Sequence, residues 1–204
     1  MTDSKDEIRN MVRESYAGIV KSTGRGCNTG CCGSPARTDV SESARRLGYT
    51  DEQIGAGPTE ANLGLGCGNP LLAADLKPGE TVLDLGSGAG FDAFIAAESV
   101  GPDGKVIGID MTRELVQKAS ENRGKVDLAN CGFVLAHIES LPLADNSVDV
   151  VLSNCVVSLS LDKRAVYGEM LRVLRPGGRI SISDVLRHKE LPEGIKDDPA
   201  AYNC

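Results

Sequence analysis

Apolar residues along the first twenty positions recur at three- and four-residue spacing: Ile8, Met11, Val12, Tyr16, Ile19 and Val20. That period predicts a helix with one buried face. Ser4-Lys5-Asp6-Glu7 just ahead has the form of a capping box. After a Gly- and Cys-rich loop from Gly24 to Gly33, two short helical pieces are expected. One follows Ser41 and stops at Gly48, and the other runs from Thr50 to Gln53 and stops at Gly55. Gly57 to Pro70 shows no sustained period and reads as loop.

From Thr81 onward the pattern changes to short apolar runs alternating with helical periods. Strands are predicted at Thr81 to Leu85, Lys105 to Ile109, Phe133 to Ala136, Val148 to Ser153 and Arg179 to Ser183. Helices are predicted at Phe91 to Val100, after Thr112, and at Asp162 to Leu174. Gly101-Pro102-Asp103-Gly104 and Pro176-Gly177-Gly178 act as breakers. Strands separated by helices pair in parallel through right-handed crossovers, so the expected fold is α/β, a Rossmann-like doubly wound and mostly parallel sheet. Two regions follow: residues 1–75 as a helical and Cys/Gly-rich extension, and residues 76–204 as the ligand-binding sheet domain.

Composition narrows the function. The 204 residues carry a net charge of −7 and no Trp, which disfavours phosphate-tracking and base-stacking surfaces; no nucleic-acid partner is expected. No apolar run is long enough to span a bilayer, and the polar start has no features of a secretory or transit peptide. Seven cysteines without an export signal point to reduced thiols and a cytoplasmic location. A monomer is expected, with a dimer as the alternative.

The candidate chemistry starts at Asp84-Leu85-Gly86-Ser87-Gly88-Ala89-Gly90, where the first strand turns into a helix. Ligands bind at that edge of a doubly wound sheet. Acid-x-G-x-G-x-G differs from the G-x-G-x-x-G spacing used on pyrophosphates. An acid ahead of the glycines suits a ligand with an ammonium-bearing amino-acid end, as in S-adenosylmethionine. Asp84 is placed to attract that ammonium, with Gly86, Ser87, Gly88 and Gly90 forming the turn. Asp110, followed by Met111, ends the second strand, where a carboxylate accepts hydrogen bonds from ribose hydroxyls. Ile138 and Glu139 supply one apolar and one polar contact for adenine.

These residues resemble the class I S-adenosylmethionine methyltransferases. Three further stretches resemble the arsenite methyltransferases: Ala61-Asn62-Leu63-Gly64-Leu65-Gly66-Cys67-Gly68-Asn69-Pro70, Ser153 to Ser160, and Leu174-Arg175-Pro176-Gly177-Gly178. The resemblance implies methyl transfer from S-adenosylmethionine to trivalent arsenic, supplied as arsenite or a thiol conjugate and held by Cys67, Cys155 and Cys204. It implies no obligate metal cofactor, and a thiol reductant such as thioredoxin or glutathione as partner. Cys31 and Cys32, with Cys27, would capture or relay the metalloid or form a redox disulfide with the site, and Asn154 would contact the cofactor's methionine end or the site loop. Cys131 is expected to pack near the third strand. A complete class I sheet adds strands after the fifth, so this sheet is expected to lack its last strands. Two other functions fit the same residues: methylation of a small organic acceptor, and binding of arsenite and S-adenosylmethionine without turnover.

Overall fold

A computed structural model describes residues 2–21 and 39–190. Its elements are helices α1 (Thr2–Lys21), α2 (Val40–Arg46), α3 (Asp51–Gly55) and α4 (Leu71–Ala74), then β1 (Thr81–Leu85), α5 (Phe91–Val100), β2 (Lys105–Asp110), α6 (Arg113–Arg123), β3 (Cys131–Leu135), β4 (Val148–Asn154), α7 (Lys163–Val173) and β5 (Leu174–Ser183). The strands form one sheet in the order β3-β2-β1-β4-β5, and every pairing is parallel. The chain leaves β1 toward β2 and β3 on one side and returns to β4 and β5 on the other. The point of reversal lies between the carboxyl ends of β1 and β4, where doubly wound sheets bind ligands.

Alternation within the strands builds a core on each face. Val82, Val106, Val150 and Leu152 pack with Phe94, Ile95 and Val100 of α5 and with Tyr49, Ala61 and Leu71 from the segment before β1. Leu83, Leu85, Ile109 and Val151 face the other way, onto Val166, Met170 and Val173 of α7. Burying a side chain of this kind stabilises the fold by about 1.5–3 kcal/mol. Phe94 has no exposed surface and meets Phe133 edge-on, with ring centroids 5.6 Å apart.

The expected face of α1 turns inward: Val12 and Ala17 are buried, and Ile8, Met11, Tyr16, Ile19 and Val20 are partly so. The helix packs against α6 and begins at Thr2, ahead of the expected start at Ser4. At α3 the capping box is real, formed by Thr50 with Gln53. Leu71–Ala74 adds a turn of helix that sequence periodicity is too short to reveal. Two strand boundaries are corrected. β3 begins at Cys131 and ends at Leu135, and β5 begins at Leu174 rather than Arg179. Pro176-Gly177-Gly178 does not end the element but sits in a register irregularity opposite Val148 and Val150, where a Pro and a left-handed Gly177 are tolerated in a strand. Arg179 then ties β5 to the turn before β1, pairing both nitrogens of its fork with Glu80 at 2.6 and 2.8 Å and donating to the carbonyls of Ala74 and Asp75.

Candidate functional site

The turn from β1 into α5 needs its glycines. Gly86 has φ +67°, and a Cβ there would meet Val156 at 2.5 Å; Gly90, the cap of α5, has φ +98°. With no Cβ in the way the turn wraps a cavity of about 390 Å³, lined among others by Asp84, Gly86, Ser87, Asp110, Asn154 and Cys155. Arg9, Val12, Tyr16 and Tyr49 from the segment before β1 line it too. The volume is in the range that holds a drug-sized small molecule.

Its polar lining is unusual for a buried surface. Asp84, Asp92 and Asp110 are each less than one-tenth exposed. Burial pushes the Asp84 carboxyl well above the usual carboxylate range, and the charges of Asp92 and Asp110 push the same way. Burial also raises Asp110, opposed by hydrogen bonds from the backbone of Thr112 and Gly88 at 2.8 and 3.1 Å. One Asp84 oxygen and the Ser87 hydroxyl are fully buried with no hydrogen-bond partner among the described residues. A buried polar atom left unsatisfied costs about 1–3 kcal/mol, so a site lined this way favours a ligand that brings donors. An ammonium and ribose hydroxyls are such donors, and S-adenosylmethionine fits the donor pattern. Ile138 and Glu139 also line the cavity; Glu139 accepts from the Ser160 hydroxyl at 2.6 Å.

Next to the cavity, two thiols meet. Cys67 lies in the loop before α4, and Cys155 is the first residue after β4. Their sulfurs and one carboxylate oxygen of Asp184, the first residue after β5, all lie within 4.8 Å of one another. Cys155 has φ +57°, a left-handed conformation that a residue with a Cβ seldom adopts. It is held there partly by its N–H donating to the Ser183 carbonyl at 2.8 Å. The Cys67 sulfur lies 3.6 Å from the same carbonyl. Asp184 accepts from the Ser158 N–H at 3.0 Å, which aims its carboxylate at the thiols' side of the sheet edge.

Asn154 joins the cavity to the thiol loop. Its Oδ1 accepts the Cys67 N–H at 3.1 Å. Its amide nitrogen lies within hydrogen-bonding distance of Asp92 Oδ2 at 2.9 Å, the Gly68 carbonyl at 2.9 Å and the Tyr49 hydroxyl at 3.1 Å. Tyr49 donates to Asp92 Oδ1 at 2.6 Å, and its own ionisation is pushed up by burial and by Asp92. The loop packs closely: a Cβ on Gly66 would meet Asn154 at 2.9 Å, and one on Gly68 would meet Ser183 at 2.8 Å.

Of the residues singled out in the sequence, Asp84, Gly86, Ser87, Gly88, Asp110, Met111, Ile138, Glu139, Asn154 and Cys155 line one cavity. Gly90 caps the helix beneath it. Cys67 does not line the cavity but stands beside Cys155. Cys131 is buried at the start of β3 with its thiol pushed up to about 12, which suits packing and not reactivity. Cys27, Cys31, Cys32 and Cys204 lie outside the described residues. Sequence reasoning missed Tyr49, Asp92 and Asp184. Asp92 carried a signal: it is an acid in the first turn of the otherwise apolar run Phe91 to Ala97.

The sheet order, the glycine turn and the acids at the ends of β1 and β2 define a Rossmann-like methyltransferase. A family model described as a methyltransferase domain matches residues 76–204, and the chain belongs to that family. Within it, the chain is similar to arsenite methyltransferases. It is 50% identical to the one from Halobacterium salinarum over 95% of this chain and 51% of that protein. It is 34% identical to the one from Mus musculus over 94% of this chain and 51% of that protein. The chain thus spans about half the length of the curated relatives it matches. Among solved structures it resembles an arsenic(III) S-adenosylmethionine methyltransferase from Chlamydomonas reinhardtii. That match has a TM-score of 0.62 and 36% identity, covering 81% of this chain and 55% of that one.

Proposed function

We propose that the chain binds S-adenosylmethionine in the cavity at the β1/β4 reversal and methylates trivalent arsenic held by cysteine thiolates. The observation that carries this reading is the meeting of Cys67 and Cys155 at the edge of a cavity lined by three buried acids, one of which, Asp84, keeps an oxygen without a hydrogen-bond partner among the described residues. These residues come from segments far apart in sequence, so their convergence is a product of the fold. The names of the relatives support the same chemistry.

In this reading Asp84 receives the ammonium of the bound amino acid and Asp110 the ribose hydroxyls, with Gly86, Ser87, Gly88 and Gly90 giving the ligand close access to the backbone. Met111, Ile138 and Glu139 surround the adenine. S-adenosylmethionine supplies an electrophilic methyl group on a sulfonium. Cys67 and Cys155 hold arsenic as a soft, low-coordinate centre, with Cys204 as the third thiol and Cys31 and Cys32 as the relay. Sulfur ligation leaves the arsenic lone pair as the nucleophile, so transfer needs no base at the acceptor. The residues' main contribution is alignment of acceptor and methyl, worth several kcal/mol of barrier, about 7–11 in favourable intramolecular cases. Asn154 is placed to hold both partners in register, through the cavity wall and through the Cys67 N–H.

Residues 1–75 then act as an extension that completes the substrate side, and residues 76–204 as the cofactor domain. Thiols must be reduced to capture arsenic, so a thiol reductant such as thioredoxin or glutathione and a cytoplasmic setting complete the reading. No helix among the described residues is long and apolar enough to cross a membrane.

Calorimetric titration of the full chain tests both halves separately. S-adenosylmethionine should bind at one site and lose affinity in Asp84→Asn. Arsenite should bind in the presence of excess small thiol and fail to bind stably in Cys67→Ser and Cys155→Ser. Arsenite binding that is indifferent to both cysteines would remove the metalloid reading and favour a small organic acceptor.

A further inference from the structure

The thiol pair has a neighbour that arsenic capture does not require. Trivalent arsenic offered as arsenous acid is uncharged at neutral pH, and three thiolates give it a neutral complex. A carboxylate within 4.8 Å of both sulfurs adds a fixed negative charge and a hard oxygen donor, neither of which an arsenic–sulfur bond uses. For a divalent cation the same group is a ligand. Zinc-like ions accept Cys sulfur at about 2.3 Å and Asp oxygen at about 2.0–2.2 Å, and their reactive sites keep three protein ligands and one open position.

We propose that Cys67, Cys155 and Asp184 form a binding site for a thiophilic divalent cation of the zinc and cadmium class, which competes with the substrate for the two thiols. The three donors come from the loop before α4 and from the carboxyl ends of β4 and β5, so they converge from three sides. Tetrahedral ligation at about 2.3 Å puts sulfurs about 3.8 Å apart. The observed separations, at most 4.8 Å, therefore close with a contraction of no more than about an ångström. The carboxylate is already oriented. Ser158 N–H donates to one oxygen at 3.0 Å and Val185 N–H to the other at 2.8 Å, as hydrogen-bond partners behind a metal ligand do. Cys155 carries a left-handed backbone, at a conformational cost, with its sulfur in this cluster. The site does not depend on arsenic being the methyl acceptor. It makes the thiols sensitive to a second class of soft ion, and a bound cation would block the acceptor position until a chelator or a competing thiol removed it.

Cadmium alone is the probe, because thiolate-to-cadmium charge transfer absorbs in the ultraviolet and reports sulfur ligation directly. The parent is the full chain carrying Cys27→Ser, Cys31→Ser and Cys32→Ser, which removes the other cysteine cluster from the signal. One cadmium per chain should produce the band, Zn²⁺ should displace it competitively, and Cys67→Ser or Cys155→Ser should abolish it. Asp184→Asn should lower cadmium affinity by at least about tenfold, and Asp184→Glu should recover part of it. Arsenite capture by Asp184→Asn should fall by less than cadmium binding does. S-adenosylmethionine affinity, measured on each variant, reports that the fold is intact. Cadmium affinity unchanged in a folded Asp184→Asn, or no charge-transfer band in the parent, would overturn the proposal. Cadmium binding with these dependences, alongside no arsenite capture by any form, would keep this site and remove the arsenic reading instead.

Discussion

At the scale of single residues, Asn154 has the largest number of consequences. It bonds the Cys67 N–H and stands against Asp92, Gly68 and Tyr49, so one side chain fixes both the thiol loop and the wall of the cavity. Replacing it with Ala leaves these partners unsatisfied, and the expected loss is about 1–3 kcal/mol in denaturant titration. Methyl transfer should fall further than stability accounts for, because the Cys67 loop loses its anchor. A variant that unfolds at the same denaturant concentration as the parent and retains activity would refute this role. Asn154 was legible in the sequence only through the stretch Ser153 to Ser160 that resembles the arsenite methyltransferases. Its partners were not: Tyr49 is separated from it by 105 positions, and no local pattern marks that contact. Asp184 could have been noticed, since it directly follows a predicted strand on the ligand-binding edge. An isolated acid there is too common to single out without the two sulfurs beside it.

At the scale of elements, the alternation of apolar strands and helical periods revealed all five strands and the three longer helices after β1. What periodicity could not resolve was the short and the irregular. Leu71–Ala74 makes a single turn of helix, too short for a repeat to appear. Pro176-Gly177-Gly178 has the composition of a turn, yet the irregular pairing of β4 with β5 accommodates it inside a strand. The position of the glycine turn between β1 and α5 was legible because its signal is local in sequence. Gly86→Ala tests how tightly it is built. The new Cβ would press on Val156 at 2.5 Å and would sit at a positive φ, so a loss of about 1–3 kcal/mol is expected. S-adenosylmethionine affinity should fall with it, as the turn shifts away from Val156. Thermal unfolding and calorimetry on the same sample check both, and a variant of unchanged affinity would contradict the placement of the cofactor on this turn.

At the scale of the whole molecule, the cluster of buried acids links stability, pH and ligand binding. In the folded chain the Asp84, Asp92 and Asp110 carboxyls are all raised, chiefly by burial. In the unfolded chain they ionise near the ordinary value of about 3.9. Above that pH the folded state therefore holds more protons than the unfolded state, and its stability falls as pH rises toward the raised folded values. Glu80 and Glu169 act in the opposite sense. Their hydrogen bonds to Arg179 and Arg172 lower them, so their contribution is lost on acidification through the lowered values. The ligand-free protein should thus lose stability between mildly acid and neutral pH, and Asp84→Asn should flatten that slope. A ligand ammonium favours the ionised form of Asp84, so S-adenosylmethionine should bind more tightly, and stabilise more, as pH rises. An Asp84→Asn variant with the parent's slope and the parent's affinity would show that Asp84 is not the group involved.

The central claim concerns chemistry at the two thiols, and the most direct test is the product. The full chain is incubated with S-adenosylmethionine, arsenite and excess small thiol, and the arsenic species are separated and weighed by mass spectrometry. Methylated arsenic from the parent, absent from Cys67→Ser and from Cys155→Ser while both still bind S-adenosylmethionine, is the predicted result. Methylated arsenic formed equally well by the cysteine variants, or no methylated arsenic from a parent that binds both ligands, would contradict it.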